Sequence, residues 1–152
     1  MRRKEKEITD TEQILGIIER GEICRLGLCS NDVPYIVPLN YGYSDGHLYF
    51  HCAKAGRKLE IINSNNHACF EIDVDAEMTA GEHACSFGMT YKSVIGYGRI
   101  MTVDDVPGKR KGLSVIMEHY TGKAGWDFAD SEIQKVLILK MKIEEMTGKK
   151  SA

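Results

Sequence analysis

His47-Leu48-Tyr49-Phe50-His51-Cys52-Ala53-Lys54-Ala55-Gly56-Arg57-Lys58-Leu59-Glu60-Ile61-Ile62 reads as a strand that runs through a short basic turn into a helix. Three cations, Lys54, Arg57 and Lys58, fall within five residues, and Gly56 among them lets the backbone come close to whatever they hold. A helix N-terminus presents unpaired N–H groups and a partial positive charge, which together suit a phosphate. Arg57 adds a planar fork that grips a phosphate bidentately, as lysine does not. The same residues also describe a solvated basic turn, so the flanking sequence has to decide between the two.

Working outward toward the N-terminus, Ser44-Asp45-Gly46 is a hairpin turn and makes His47–Cys52 the returning strand. The outgoing arm, Val33 to Tyr43, is rich in β-formers but carries Pro34 and Pro38. Two prolines in one strand point to an edge, a bulge or a ligand-facing irregularity, because proline cannot donate to a ladder. Before it, Cys24, Leu26 and Leu28 alternate as a strand that ends in the turn Ser30-Asn31-Asp32. Thr9-Asp10-Thr11-Glu12 has the form of a capping box. Ile14, Leu15, Ile17 and Ile18 follow at helical spacing up to a stop at Gly21, predicting a helix over residues 10–20.

On the C-terminal side, Asn63-Ser64-Asn65-Asn66 closes the short helix. Residues 67–74 then alternate, with Ala68, Phe70, Ile72 and Val74 on one face and His67, Cys69, Glu71 and Asp73 on the other. Residues 75–90 lack periodicity and read as a loop. Ser93–Val103 is the next strand, where Gly96 and Gly98 bare one face for a close backbone or a flat ligand. Asp104-Asp105-Val106-Pro107 starts a second full helix with Leu113, Ile116, Met117 and Tyr120 as its apolar stripe. A glycine-rich loop around Trp126 leads to a strand over 136–143 and a polar tail. About six strands, arranged as hairpins with helical insertions rather than βαβ units, favour an antiparallel sheet or small barrel in an α+β domain.

The chain has 152 residues, the size of one domain, with residues 1–8 and 147–152 expected as loose tails. Its net charge of −2 argues against a nucleic-acid binder. No apolar run reaches the length of a membrane span, and none follows the N-terminal charges as a signal peptide requires, so a cytoplasmic protein without membrane contacts is expected. Five cysteines without a tight framework are expected as free thiols. His67-Ala68-Cys69 and His83-Ala84-Cys85 place paired ligand types two residues apart, which admits a zinc or haem site. The absence of a Cys-x-x-Cys unit favours no metal.

Taken together, Val33-Pro34-Tyr35-Ile36-Val37-Pro38-Leu39-Asn40-Tyr41-Gly42-Tyr43, then His51 with Gly56-Arg57-Lys58, then Tyr91, Ser93-Val94 and Gly98-Arg99, resemble the FMN-binding split-barrel superfamily. Within it the pattern is most similar to the 5-nitroimidazole resistance (Nim-type) proteins, relatives of pyridoxamine 5′-phosphate oxidase. The likeness runs over nearly the whole chain. It implies a mainly β, α+β fold: a six-stranded antiparallel split β-barrel with flanking helices. It also implies a homodimer with one FMN in each of two clefts between the chains.

By the same resemblance, Val37, Pro38, Leu39, Asn40 and Tyr41 lie along the flavin ring and offer main-chain hydrogen bonds. Arg57 and Lys58, with Lys54 in the same turn, hold the phosphate. His51 and Cys52 line the cofactor, Ser93 falls where the oxidase relatives place a polar flavin contact, and Val94 beside it is a further cofactor-binding candidate. His51 matches the histidine associated with nitro-group reduction. Histidine titrates near neutrality and can deliver protons while a flavin delivers electrons. A strand histidine that only touches the cofactor fits the same position. The leading expectation is an FMN-dependent oxidoreductase that reduces a small electrophile, a nitroimidazole-type nitro group above all. A flavin or haem carrier, sensor or stress protein is the alternative. A pyridoxamine 5′-phosphate oxidase is weaker, since no arginine-rich substrate cluster appears.

Overall fold

The structure is a computed structural model that describes residues 3–151. Its strands are β1 (Glu7–Ile8), β2 (Cys24–Ser30), β3 (Val33–Leu39), β4 (Gly42–Ser44), β5 (His47–Ala53), β6 (His67–Thr79), β7 (Gly88–Val103) and β8 (Val136–Ser151). The helices are α1 (Thr11–Arg20), α2 (Arg57–Ser64), α3 (Val106–Thr121) and a single turn, α4 (Asp130–Ile133). The strands form one eight-stranded sheet in the order β3-β2-β6-β7-β8-β5-β4, with β1 on β8, and the pairings are antiparallel.

The two ends of this path, β3 and β4, are consecutive in the chain and separated only by Asn40 and Tyr41. Three residue steps span at most about 11 Å, so the sheet has to curl until its edges nearly meet. Among the described residues no ladder joins β3 to β4: the barrel is closed by the covalent chain and left split beside it. As an edge strand, β3 accommodates its prolines. Pro34 and Pro38 share one parity, the one that points away from β2, and they delete two donors from the open edge.

The core lies inside the curl. Leu26, Leu48, Phe50, Phe70, Ile72, Val94, Ile100 and Met141 are buried there, and α1 closes it with Ile14, Ile17 and Ile18. Asp10 rather than Thr9 caps α1, accepting from the Glu12 N–H at 3.0 Å. Helix α3 packs outside the barrel, burying Ile116 against Tyr49 and Ile138. Asp105 caps it by accepting from the Gly108 N–H at 2.8 Å.

Several sequence expectations change. The loop expected over 75–90 is in large part a hairpin: β6 continues to Thr79 and β7 begins at Gly88, across a bulge at Asp75, whose φ of 57° is left-handed. Short-range periodicity breaks at a bulge, which hides the strand beyond it. The expected loose tails are paired: Thr147–Ser151 continue β8 against Tyr91–Ile95, and Glu7–Ile8 pair with Gly148–Lys149. Residues 1, 2 and 152 lie outside the described residues. The face bared by Gly96 and Gly98 is not open space. The Phe70 ring fills it at Gly96, and the backbone of β8 at Lys142 fills it at Gly98.

Arg20 at the end of α1 grips Asp75 at the bulge with two N–H···O bonds of 3.0 and 2.9 Å, and Lys92 adds a third contact at 3.3 Å. These partners hold the Asp75 carboxyl down to about 2. A carboxylate depressed in the folded state stabilises above its unfolded value, roughly 3.9, and that contribution is lost as pH falls toward the folded value. Acid unfolding between about pH 4 and 2 should therefore be less steep in Asp75→Asn than in the parent protein. Circular dichroism titration at low salt checks this, and added salt should shrink the difference because the pair is half exposed.

Candidate functional site

The basic turn lies where β5 leaves the barrel. Gly56 caps α2 with φ 129° and ψ 166°, a conformation reserved for glycine, and no side chain caps the helix. Nothing lies within 4 Å of where a Gly56 side chain would begin, so the first turn opens onto free space. Arg57 is exposed, with its guanidinium carbon 5.0 Å from the centroid of the Tyr35 ring on β3. That contact ties the helix start to the edge strand and leaves the N–H fork available at its rim. Lys58 is half buried, and Lys54 is exposed and 3.6 Å from Asp104. Asp104 also takes the amine of Lys109 at 2.5 Å, and Lys109 is only 3% exposed. These partners lower the Asp104 carboxyl, the Lys109 hydrogen bond most.

An open helix start with guanidinium and ammonium groups around it is a donor set made for a phosphoryl anion, with backbone N–H groups for the oxygens and cations for the charge. The structure thus fits the terminal phosphate of a flavin at this point. Tyr35, Asp104 and Lys109 are the residues that sequence reading missed. Only the alternation along β3 hinted at Tyr35, and the two others act through contacts across the fold.

His51 is exposed on the face of β5 opposite the buried Phe50, as strand alternation requires. Its neighbour Cys52 points inward and is buried, and burial pushes its thiol up while Lys58 pulls the other way. Cys52 is therefore an inert wall residue. On β3, Val37 and Leu39 pack against the core while Pro38 faces out, and Asn40 is exposed at the seam between β3 and β4.

The Tyr41 side chain points inward. It is fully buried, and its hydroxyl donates to the carbonyls of Ile18 at 2.5 Å and Gly21 at 3.1 Å. Its N–H donates to the Tyr120 hydroxyl at 3.1 Å, which itself donates to the Glu22 carbonyl at 2.7 Å. The Tyr41 side chain is spent on fastening α1 and α3 to the barrel seam.

Ser93 and Val94 are buried on β7, opposite Asp73 and Ile72 on β6 and opposite Lys149 and Gly148 on β8. His51 pairs with Ile138, which pairs on its other side with Val103. Val103 is ten residues along β7 from Ser93, about 33 Å of strand. His51 and the 54–58 turn, with Tyr35 of β3 against Arg57, thus lie far along β7 from Ser93 and Val94, whereas Val37 of β3 is level with Gly96 through Leu26 and Phe70.

The two His-Ala-Cys units do not meet either. The first lies on β6 and the second in the turn beyond its end. Among the described residues no three His, Cys, Asp or Glu side chains are grouped to hold a metal. No described helix is long and apolar enough to cross a membrane.

Comparison with known proteins agrees with this architecture. A candidate 5-nitroimidazole antibiotic resistance protein from Bacteroides thetaiotaomicron is 31% identical, with a TM-score of 0.83 over 94% of this chain and 85% of that one. The flavocytochrome of Azotobacter vinelandii superposes with a TM-score of 0.82 at 18% identity, covering 100% of this chain and 72% of that one. At that identity the likeness speaks for the fold alone. A FAD-binding protein from Mesorhizobium loti gives a TM-score of 0.67 at 24% identity over 94% and 96% of the two chains. Among curated proteins, an uncharacterized protein of Rhizobium meliloti (strain 1021) is 29% identical over 101 residues, 66% of this chain and 60% of its own length. The family model for pyridoxamine 5′-phosphate oxidase matches residues 10–150, nearly the whole curled sheet with its helices, and the chain belongs to that family.

Proposed function

We propose that this protein is a homodimeric, FMN-dependent oxidoreductase that reduces a small electrophile, with a nitroimidazole-type nitro group as the preferred substrate class. The observation that carries the reading is the open, uncapped start of α2 with Arg57, Lys58 and Lys54 around it, one residue cluster sized for one terminal phosphate. The named likeness to a candidate nitroimidazole resistance protein supports the substrate class. FMN is preferred to FAD because the cations sit in a single short turn and no Gly-x-Gly-x-x-Gly strand–helix turn exists for a pyrophosphate. The separation of Ser93 from His51 along β7 supports a two-chain site, in which Ser93 of a second copy joins the end where His51 and the basic turn lie. The exposed apolar side chains Ile36, Ile95, Tyr97 and Met101 offer the surface for that copy.

In this assignment Arg57, Lys58 and Lys54 bind and orient the cofactor phosphate, and the free edge of β3 lies along the ring. A bound flavin supplies the electrons for reduction. His51, exposed beside the turn, donates protons to the oxygen that leaves the nitro group, and it recovers them from solvent. Cys52 and the partly buried side chains of Tyr35, Val37 and Leu39 keep water from the inner side.

Mass spectrometry of the cofactor released from protein purified without additions should give FMN. Stoichiometric FAD would overturn the choice, and a Soret band would favour the haem-carrier reading. Analytical ultracentrifugation at micromolar concentration should show a dimer, and a flavin-loaded monomer would contradict the two-chain site. Arg57→Ala should weaken FMN binding by roughly ten- to hundredfold, the worth of a charge-assisted contact of about 1.5–3 kcal/mol. Arg57→Lys should recover only part, because the bidentate fork is lost. Unchanged affinity in fluorescence titration would place the phosphate elsewhere.

A further inference from the structure

Lys109 is a buried cation without a role in the flavin assignment. Its side chain is only 3% exposed, although lysine is almost never fully buried unless paired. It also stands in the first turn of α3, at the helix end that favours negative charge. Both penalties fall on one residue, and among the described residues a single carboxylate answers them. That carboxylate is Asp104, 2.5 Å from the Lys109 ammonium. Asp104 is not the helix cap, since Asp105 fills that place. Its other ionic partner is Lys54, 3.6 Å away in the phosphate turn.

The topology explains why these three residues meet. Strands β5 and β7 both run antiparallel to β8, so they point the same way and end at the same edge of the sheet. Lys54 follows the last residue of β5, Asp104 follows the last residue of β7, and α3 sets out from there. Gly108 lies against Val103 with no room for a side chain, which presses the first turn of α3 onto the strand end. The phosphate turn is thus held from two sides, Arg57 by the Tyr35 ring and Lys54 by Asp104.

Charge decides what Asp104 does there. A lone carboxylate beside the turn would repel a phosphate, but Lys109 offsets it, and the three groups together keep one positive charge. The Lys54 side chain is half exposed, and its ammonium has three donors, so one contact with Asp104 leaves donors for a ligand. A free lysine gives up rotamer freedom when it binds, and one already leaning on Asp104 gives up less. We propose that Asp104, anchored by the buried Lys109, is a positioning residue that holds Lys54 ready for the cofactor phosphate. This role rests on the assignment of that phosphate to the start of α2.

Fluorescence titration of FMN into the full-length protein stripped of cofactor tests it through a double-mutant cycle. Asp104→Asn should weaken FMN by about two- to tenfold, the worth of one pre-ordered long side chain. Lys54→Ala should weaken it at least as much, and the two changes together no more than Lys54→Ala alone. Asp104→Asn leaves the Lys109 charge buried without its partner and should lower the melting temperature. Asp104→Asn combined with Lys109→Met removes both charges and keeps the packing of the stem. That variant should melt closer to the parent and still bind FMN as weakly as Asp104→Asn. Arg57→Ala separates this role from the phosphate assignment itself. If Arg57→Ala weakens FMN and Asp104→Asn does not, the positioning role falls and the phosphate site stands; if neither does, both fall. Additive losses for Lys54→Ala and Asp104→Asn would reduce Asp104 to a structural staple. Tighter FMN binding in Asp104→Asn would make it a competitor for Lys54, and the proposal would fall.

Discussion

His51→Ala is expected to keep the folded protein and most of its FMN binding while slowing reduction of a nitroimidazole by about 10²–10⁴-fold, the usual worth of a positioned general acid. The side chain leaves the outer face of β5, opposite the fully buried Phe50, so its removal opens no cavity. It makes no side-chain hydrogen bond among the described residues, so no buried partner is orphaned. Its place one strand-end before Lys54 and Arg57 puts it beside the cofactor in the proposed assembly rather than against bulk core. The reading is single-turnover reoxidation of dithionite-reduced protein by a nitroimidazole across pH. The deficit should narrow at low pH, where solvent supplies protons that His51 otherwise delivers. A variant that reoxidises at the parent rate throughout would reduce His51 to a cofactor contact.

Gly98→Ala should cost at least about 3 kcal/mol, the upper part of the range for overpacking, because the clash is with backbone. A side chain at Gly98 would begin inside the carbonyl of Lys142, with the carbonyl carbon 2.9 Å away. The partner cannot rotate aside as a side chain does. Here β7 and β8 slip register between Tyr97 and Gly98, and that irregularity brings the two chains unusually close. A loss of that size lowers the melting temperature of a protein this long by roughly 6–12 °C. Gly16→Ala is the control, since nothing lies within 4 Å of its added carbon and alanine favours the helix. Equal melting temperatures for the Gly98 variant and the parent would mean that β8 is not seated as described.

The local elements were legible in the sequence because each follows from neighbours within a few residues. Ile14, Ile17 and Ile18 recur at helical spacing and do close the core from α1. Ala68, Phe70 and Ile72 alternate and do face inward from β6. Pro34 and Pro38 excluded β3 from the middle of a sheet, and it is an edge. The start of α2 was readable for the same reason, since Gly56, Arg57 and Lys58 are contiguous and a helix N-terminus has the same chemistry wherever it occurs.

What only the tertiary structure decided are the matters of long-range register and curvature. Gly96 and Gly98 announced a close approach but not its object, which is Phe70 and the β8 backbone rather than a flat ring. The polar 147–151 segment has no apolar pattern of its own and is ordered by β7 and β1, partners more than fifty residues away. Tyr41 reads like its β3 neighbours, yet the curl that brings β3 to β4 turns its ring inward onto α1. The pairing of His67 with Arg99, Arg99 with Lys142 and Lys142 with His47 is invisible in a linear chain, because these residues become neighbours only when four strands pair. The separation of Ser93 from His51 along β7 is of the same kind. Spacing in sequence specifies a residue's face and its element, whereas which elements meet depends on burial summed over the whole sheet.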